Sequence, residues 1–145
     1  MKRIQRWMLG MLLLTASAAA SAAGKLRVED AWIREAPPGA TAMAGYATLR
    51  NTGDETVRLL AVQSAAFRNA SVHETVISGG MSRMRELHDL EIAPGETVAL
   101  QPGGRHLMLM DPRNPVALGD KVEILFLLAD GTRVKTEFEV VADGP

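Results

Sequence analysis

From Lys25 onward, turn-forming glycine, proline, asparagine and aspartate residues divide the chain into short segments. Nine segments are rich in β-branched, aliphatic and aromatic residues and favour strands: 27–33, 44–49, 57–62, 70–77, 84–87, 96–100, 106–110, 122–128 and 134–141. None shows a convincing helical period. Strands spaced by roughly 8 to 12 residues predict an all-β sandwich or barrel, and the chain length favours a single domain.

Three hairpins are predicted within this pattern, one of them about the Ser-Gly-Gly turn at 78–80. Segments 122–128 and 134–141 flank an Ala-Asp-Gly-Thr sequence, which is a four-residue hairpin connection. Segment 57–62 follows 44–49 after an Asn-Thr-Gly turn, so we expect these two strands to pair with each other.

The first part of the chain has the order of a signal peptide. Three basic residues precede an apolar run at 7–14, and small residues continue to Ala23. The run is too short for a permanent membrane span. We expect cleavage after Ala22 or Ala23, export to the periplasm of a mature domain at 24–145, and no stable membrane association. A buried N-terminal helix is the alternative for residues 1–23.

Composition excludes several kinds of site. The chain has no cysteine, which excludes disulfides, thiolate metal sites and cysteine nucleophiles. Without the three basic leader residues it has 13 basic and 17 acidic residues, a net charge of −4. Basic and aromatic residues are scattered singly, so nucleic-acid binding is disfavoured. No catalytic triad or carboxylate pair can be argued from spacing, and we expect no enzyme activity.

Histidine and methionine are concentrated in one part of the chain. All three histidines, and every methionine after the leader except Met43, lie between positions 73 and 110. Strand cores prefer Val, Ile, Leu and Phe, so packing explains this concentration poorly. A metal site explains it better.

Strand geometry selects four of these residues as metal ligands. Residues two apart in a strand point to the same face, so His106 and Met108 project together. A two-residue loop within the Ser-Gly-Gly turn places His73 and Met84 on one face, either as direct partners or as diagonal neighbours. Two imidazoles and two thioethers form a neutral, soft set that suits Cu(I), or its mimic Ag(I).

The remaining histidine and methionines have simpler interpretations. We expect His88 to be a surface residue and Met43 to fill the core. Met81 and Met110 fit either packing or ligation, and the sequence does not decide between the two.

The other side chains near this region are expected to be structural or solvated. Trp32 is predicted to anchor packing, with a place beside the metal as the alternative. Glu86, Asp89 and Glu91 are interpreted as solvated charges, with a hard-metal site as the alternative.

The intervals between the four ligands resemble a known pattern. Ten residues separate His73 from Met84, twenty-one separate Met84 from His106, and one separates His106 from Met108. This spacing is similar to the copper-binding signature of the periplasmic PCu(A)C copper chaperones. Further similarity is found in 31–34, 37–39, 51–53, 72–74, 103–109 and the last hairpin, and covers nearly all of the mature domain.

The resemblance implies a cupredoxin-like β-sandwich that binds one Cu(I) and passes it to an acceptor protein. The usual destination is a cytochrome c oxidase subunit or its assembly factors. Some members carry a His/Met-rich C-terminal extension that adds Cu(II) capacity, and this sequence ends without one. We expect a monomer.

Two other functions fit parts of the sequence. A periplasmic copper-resistance or storage protein would use the same residues but retain its metal. A metal-free β-sandwich used in adhesion or assembly would not bind copper at all.

Overall fold

The computed structural model describes residues 25–144 of the chain. The predicted signal peptide, 1–23, lies outside the described residues. The strands are β1 (Leu26–Arg34), β2 (Ala42–Asn51), β3 (Val57–Gln63), β4 (Phe67–Ser78), β5 (Met81–Glu86), β6 (Leu90–Ile92), β7 (Thr97–Leu100), β8 (Arg105–Pro112), β9 (Lys121–Leu128) and β10 (Arg133–Val141). Within this part of the chain no helix could span a membrane.

The strands form one hydrogen-bonded path in the order β5-β4-β8-β2-β1-β10-β9-β3-β6, and β7 pairs with β2 next to β8. Strands β1 and β10 are parallel, and the other pairs are antiparallel. The path folds over on itself, because inward side chains from β4 and β8 share one core with those from β9 and β10. The predicted all-β sandwich is therefore confirmed.

The predicted pairing of 44–49 with 57–62 is wrong. Strand β2 has β1 along one edge, and β8 followed by β7 along the other, so no edge is left for β3. Strand β3 instead pairs with β6 and β9. The connection between β2 and β3 is held by Asn51, whose buried amide donates hydrogen bonds to the carbonyls of Ile92 and Glu55.

The remaining strands follow the sequence closely. Strands β9 and β10 form the expected hairpin, with Val134 opposite Phe126. One strand was not predicted: β6 is only three residues long, although Leu90 and Ile92 are both buried. Such a short segment shows too little alternation to be distinguished from a loop.

Candidate metal centre

Strand β8 separates core side chains from outward-facing polar and soft ones. Leu107 and Leu109 are fully buried in the core. Because neighbouring residues of a strand point to opposite faces, His106 and Met108 project from the outer face. They therefore share one face of β8, as the alternation predicts.

The hairpin of β4 and β5 has the two-residue Gly79-Gly80 loop, which leaves Ser78 opposite Met81. Both glycines have positive φ, at 58° and 77°, as the favoured two-residue hairpin turns require. In this register Thr75 lies opposite Met84, so Met84 is a diagonal neighbour of His73 on the same face. This is one of the two predicted arrangements.

Pairing of β4 with β8 joins the two halves of the centre. His73 lies directly opposite His106, and Ser71 lies opposite Met108. The centroids of the two imidazole rings are 6.0 Å apart, with 30° between the ring planes. The four predicted ligands therefore occupy one outer face across β5, β4 and β8.

Exposure of these four side chains increases from β8 towards the free edge of the sheet. His106 is buried, with 7% of its surface exposed, whereas His73 and Met108 are half-buried. Met84, on the edge strand, is 61% exposed. A metal held here would have protein beneath it and solvent on the side of β5.

Hydrogen bonding fixes which nitrogen of His106 can act as a ligand. Its Nδ1 lies 3.1 Å from the backbone carbonyl oxygen of Gly104. A carbonyl oxygen only accepts, so Nδ1 must carry the proton and donate. The lone pair of neutral His106 is therefore on Nε2, and the Gly104 bond orients the ring as metal-bound histidines are commonly oriented.

His73 has one nitrogen with a partner and one without. Its Nε2 lies 2.9 Å from Oγ of Ser71. Its Nδ1 is buried and has no hydrogen-bond partner among residues 25–144. Buried nitrogens are normally satisfied, so an unsatisfied one in a ring directly opposite a second imidazole is suited to a metal ion.

Burial also lowers the pKa of His73 below its ordinary value, because the surroundings disfavour the charged ring. The Glu86 carboxylate, directly opposite on β5, acts in the other direction. His106 and His88 lower the pKa further by charge repulsion. The neutral ring that a metal needs is favoured overall.

The other soft residues occupy different places. Met43 is buried in the core, as predicted. Met81 lies three residues from Met84 on the same strand, so the two point to opposite faces of the hairpin. Met110 shares a face with Met108 but lies further along β8, opposite Asn69.

Two acidic residues of this region pair with a guanidinium, and a third lies beside a histidine. Asp89 accepts two hydrogen bonds from Arg58, which lower the pKa of its carboxyl, and Glu91 lies 3.3 Å from the same guanidinium. Glu86 lies 3.6 Å from Nδ1 of His88, which is highly exposed. Among residues 25–144 no three His, Asp or Glu side chains are placed to hold a metal, so the hard-metal alternative lacks a site there.

Trp32 lies in the same transverse row of the sheet as the two histidines. It pairs with Tyr46, with ring centroids 4.5 Å apart, and the Arg34 guanidinium lies over both rings. Tyr46 follows Gly45, the partner of Leu107, and so comes between Trp32 and His106. Trp32 is thus a packing residue, as predicted, on the face that carries the centre.

Ser71 and Gly104 are parts of the centre that were not predicted from the sequence. Ser71 precedes His73 by two residues, so the alternation of strand faces could have placed them together. The contact of His106 with Gly104 has no comparable signal, because it depends on the path of the backbone.

Comparison with known sequences gives one family. The model of the LpqE-like family, described as "Putative lipoprotein LpqE-like", matches residues 26–140. The curated relatives include "Putative lipoprotein Lxx21020" from Leifsonia xyli subsp. xyli, which is 34% identical over 108 residues, 74% of this chain and 64% of the relative. The chain spans less than two thirds of the length of the curated relatives that it matches.

Solved structures give the same fold. The apo PCuAC domain from PmoF1 matches with a TM-score of 0.68 and 25% identity, over 82% of this chain and 95% of that domain. The solution structure of CuI-DR1885 from Deinococcus radiodurans matches with a TM-score of 0.65 and 30% identity, over 85% of this chain and 82% of that one. The expected cupredoxin-like β-sandwich is confirmed.

Proposed function

Because the chain belongs to the LpqE-like family, the family of PCuAC copper chaperones, we propose that it is an exported copper chaperone. It holds one Cu(I) ion through His73, Met84, His106 and Met108, and releases it to an acceptor protein. It performs no catalysis.

One observation carries the choice of ligands. His73 lies directly opposite His106 on one outer face. Met108 follows His106 by two residues on that face, and Met84 is the diagonal neighbour of His73 across the hairpin. The unsatisfied Nδ1 of His73 supports the same choice. No other part of residues 25–144 combines two histidines and two methionines on one face.

The donor set favours copper in its lower oxidation state. Neutral imidazole and thioether ligands suit Cu(I), whereas zinc sites use thiolates, imidazoles and carboxylates. The CuI-DR1885 structure, with the same fold, is of a copper(I) protein. Thioethers also disfavour Cu(II), so the bound ion should resist oxidation without redox turnover.

Exposure favours delivery over storage. A storage site would enclose its metal, but Met84 lies largely in solvent on the edge strand. An incoming ligand can therefore reach the metal from the side of β5. Because thioethers are weak donors, they can be exchanged, and unlike thiols they form no disulfides in an oxidising compartment.

The place of action follows from export. A family described as lipoproteins supports an exported protein, and residues 1–23 have the order of a signal peptide. The proposed compartment is the periplasm. The proposed acceptor is the copper site of a cytochrome c oxidase subunit, or one of the factors that assemble it.

Anaerobic titration of the mature protein with Cu(I) against a competing chelator tests the binding step, and native mass spectrometry counts the bound ions. One ion per chain is expected. If no copper binds, the metal-free assembly module is the correct function. If copper binds but does not pass to an apo-oxidase fragment, the protein is a resistance or storage protein.

A further inference from the structure

Exposed apolar side chains are concentrated at one end of the molecule. Seven large apolar side chains are exposed among residues 25–144, and four of them lie within a nine-residue stretch of the β4–β5 hairpin. These are Val76, Ile77, Met81 and Met84, which together with the Gly79-Gly80 loop we call the hairpin end. By strand alternation Ile77 and Met84 share one face of the hairpin, and Val76 and Met81 lie on the other face. Exposed apolar side chains gathered at one end of a molecule in this way mark an interaction site.

The hairpin end has no covering element within the described chain. Strand β5 is the last strand of the path and pairs only with β4, and all six of its residues are exposed. Residues 76–78 of β4 are exposed as well, so the hairpin extends past the core. Its side chains do not pack inside the protein.

One of these apolar side chains, Ile77, adjoins the candidate metal centre. Ile77 lies opposite Ser82 and is therefore a diagonal neighbour of Met84 on the same face. Ile77 is 76% exposed, the largest fraction among the exposed apolar side chains of residues 25–144. A protein that approached Met84 from solvent would contact Ile77.

The opposite face of the hairpin is basic. Glu74 accepts hydrogen bonds from Arg85, at 2.8 Å, and from Arg105, at 3.3 Å. Arg83 lies opposite Val76 on this face and has no ion-pair partner within residues 25–144. One carboxylate among three guanidinium groups leaves a net positive charge.

We propose, on the premise of the function proposed above, that the hairpin end is the surface on which the copper-acceptor protein docks. The acceptor presents an apolar rim around its own copper site to Ile77 and Met84. Carboxylates at the edge of this rim are attracted at longer range by Arg83, on the other face of the same hairpin, so charge steers the encounter.

Docking here gives the order of ligand exchange. Met84 is the most exposed ligand, so its sulfur leaves the copper first as a ligand of the acceptor adds. The copper remains Cu(I), and no electron is transferred. The buried His106, held by Gly104, is the last ligand on the protein side.

The test separates binding from transfer. Ile77→Thr and Val76→Thr keep a β-branched side chain while removing apolar surface outside the ligand set. Leu60→Thr and Leu118→Thr are matched controls, because these leucines are 51% and 58% exposed elsewhere. The measurements are Cu(I) affinity and the rate of transfer to the apo form of the soluble copper-binding domain of a cytochrome c oxidase subunit.

We expect Cu(I) affinity to stay within about twofold in all four variants, and transfer to slow about tenfold or more in Ile77→Thr. Val76→Thr should slow transfer much less, because Val76 lies on the face opposite Met84. The controls should keep the rate of the unmodified protein. The Ile77→Leu variant should keep most of the transfer rate of the unmodified protein, since leucine supplies the same apolar contact. Arg83→Gln should weaken the dependence of the rate on ionic strength.

The outcomes are distinct from those of the proposed function. If the unmodified protein binds no Cu(I), the proposed function fails and this proposal fails with it. If it binds Cu(I) but does not transfer it to the oxidase domain, docking of this acceptor is overturned. If transfer occurs but Ile77→Thr behaves like Leu60→Thr, only the docking surface is wrong.

Discussion

The imidazole rings of His73 and His106 face each other across β4 and β8, with their centroids 6.0 Å apart. At this separation two protonated rings repel each other, whereas two neutral rings can share one metal ion. Protons and metal therefore compete for the same pair of residues.

Cu(I) affinity is expected to fall in acid. Burial lowers the pKa of His73, so protons compete for its lone pair only below the ordinary imidazole value of about 6.5. Affinity should therefore be nearly constant above that value and decrease towards about pH 5. Titration against a chelator, corrected for the chelator's own protonation, measures this. Constant affinity from about pH 7.5 to about pH 5 would exclude two histidine ligands.

Replacing Glu86 refines the same prediction. Its carboxylate faces His73 and raises the pKa of that ring, in opposition to burial. Glu86→Gln removes this charge, so loss of copper should begin at lower pH than in the unmodified protein. An unchanged pH of copper loss would show that the carboxylate does not act on His73.

Ser71→Ala is expected to weaken copper binding without removing a ligand. Oγ of Ser71 lies 2.9 Å from Nε2 of His73 and orients the ring. Loss of such a partner commonly lowers metal affinity by about tenfold or more. Ser82→Ala is the control, since Ser82 is exposed on β5 of the same hairpin. Equal affinities in the two variants would show that Ser71 has no part in positioning the ring.

The sequence contained enough information for the parts of the centre that depend on local geometry. Alternation of strand faces places Met108 beside His106, and the Gly79-Gly80 loop sets the register of Met84 against His73. Both rules act within a few residues of chain, so they hold whatever the rest of the fold does.

Pairing between distant strands could not be obtained in this way. That His73 lies opposite His106 depends on β4 and β8 being neighbours, which the packing of the whole sandwich decides. The same cause explains the wrong partner for β3, which the sequence suggested by adjacency alone. The resemblance to a copper-binding family indicated a common site, but it gave no contacts.

Asn51→Ala is expected to destabilise the protein without affecting copper. The buried Asn51 amide donates to the Ile92 carbonyl at 2.9 Å and also to Glu55, so the substitution leaves buried polar groups without partners. The cost is about 3 kcal/mol of unfolding free energy, measured by urea denaturation. Asn69→Ala, at an exposed position of β4, should change it by less than about 0.5 kcal/mol. Equal effects would contradict the proposed role of the Asn51 contacts.

Export is expected to remove the segment up to Ala22 or Ala23. A basic start, an apolar centre and a small-residue end occur in the order that signal peptidase substrates require. Intact-mass measurement of protein recovered from the periplasm identifies the new N-terminus. A mature species that still carries Met1 would contradict this prediction.

Methionine-to-leucine variants test the two proposed sulfur ligands. Met84→Leu and Met108→Leu keep apolar bulk and remove only the thioether, so apo stability should fall by less than about 1.5 kcal/mol. Cu(I) affinity should fall at least about tenfold, or about 1.4 kcal/mol, because one ligand is lost.

The controls for these variants lie close by on the same strands. Met81→Leu changes a methionine on the opposite face of the hairpin, and Met110→Leu changes one further along β8. His88→Asn changes an exposed histidine beside Glu86. All three should retain Cu(I) affinity within about twofold, since a change below 0.5 kcal/mol is typical of surface positions. If controls and ligand variants lose affinity equally, the metal is bound diffusely or by other sulfurs than Met84 and Met108.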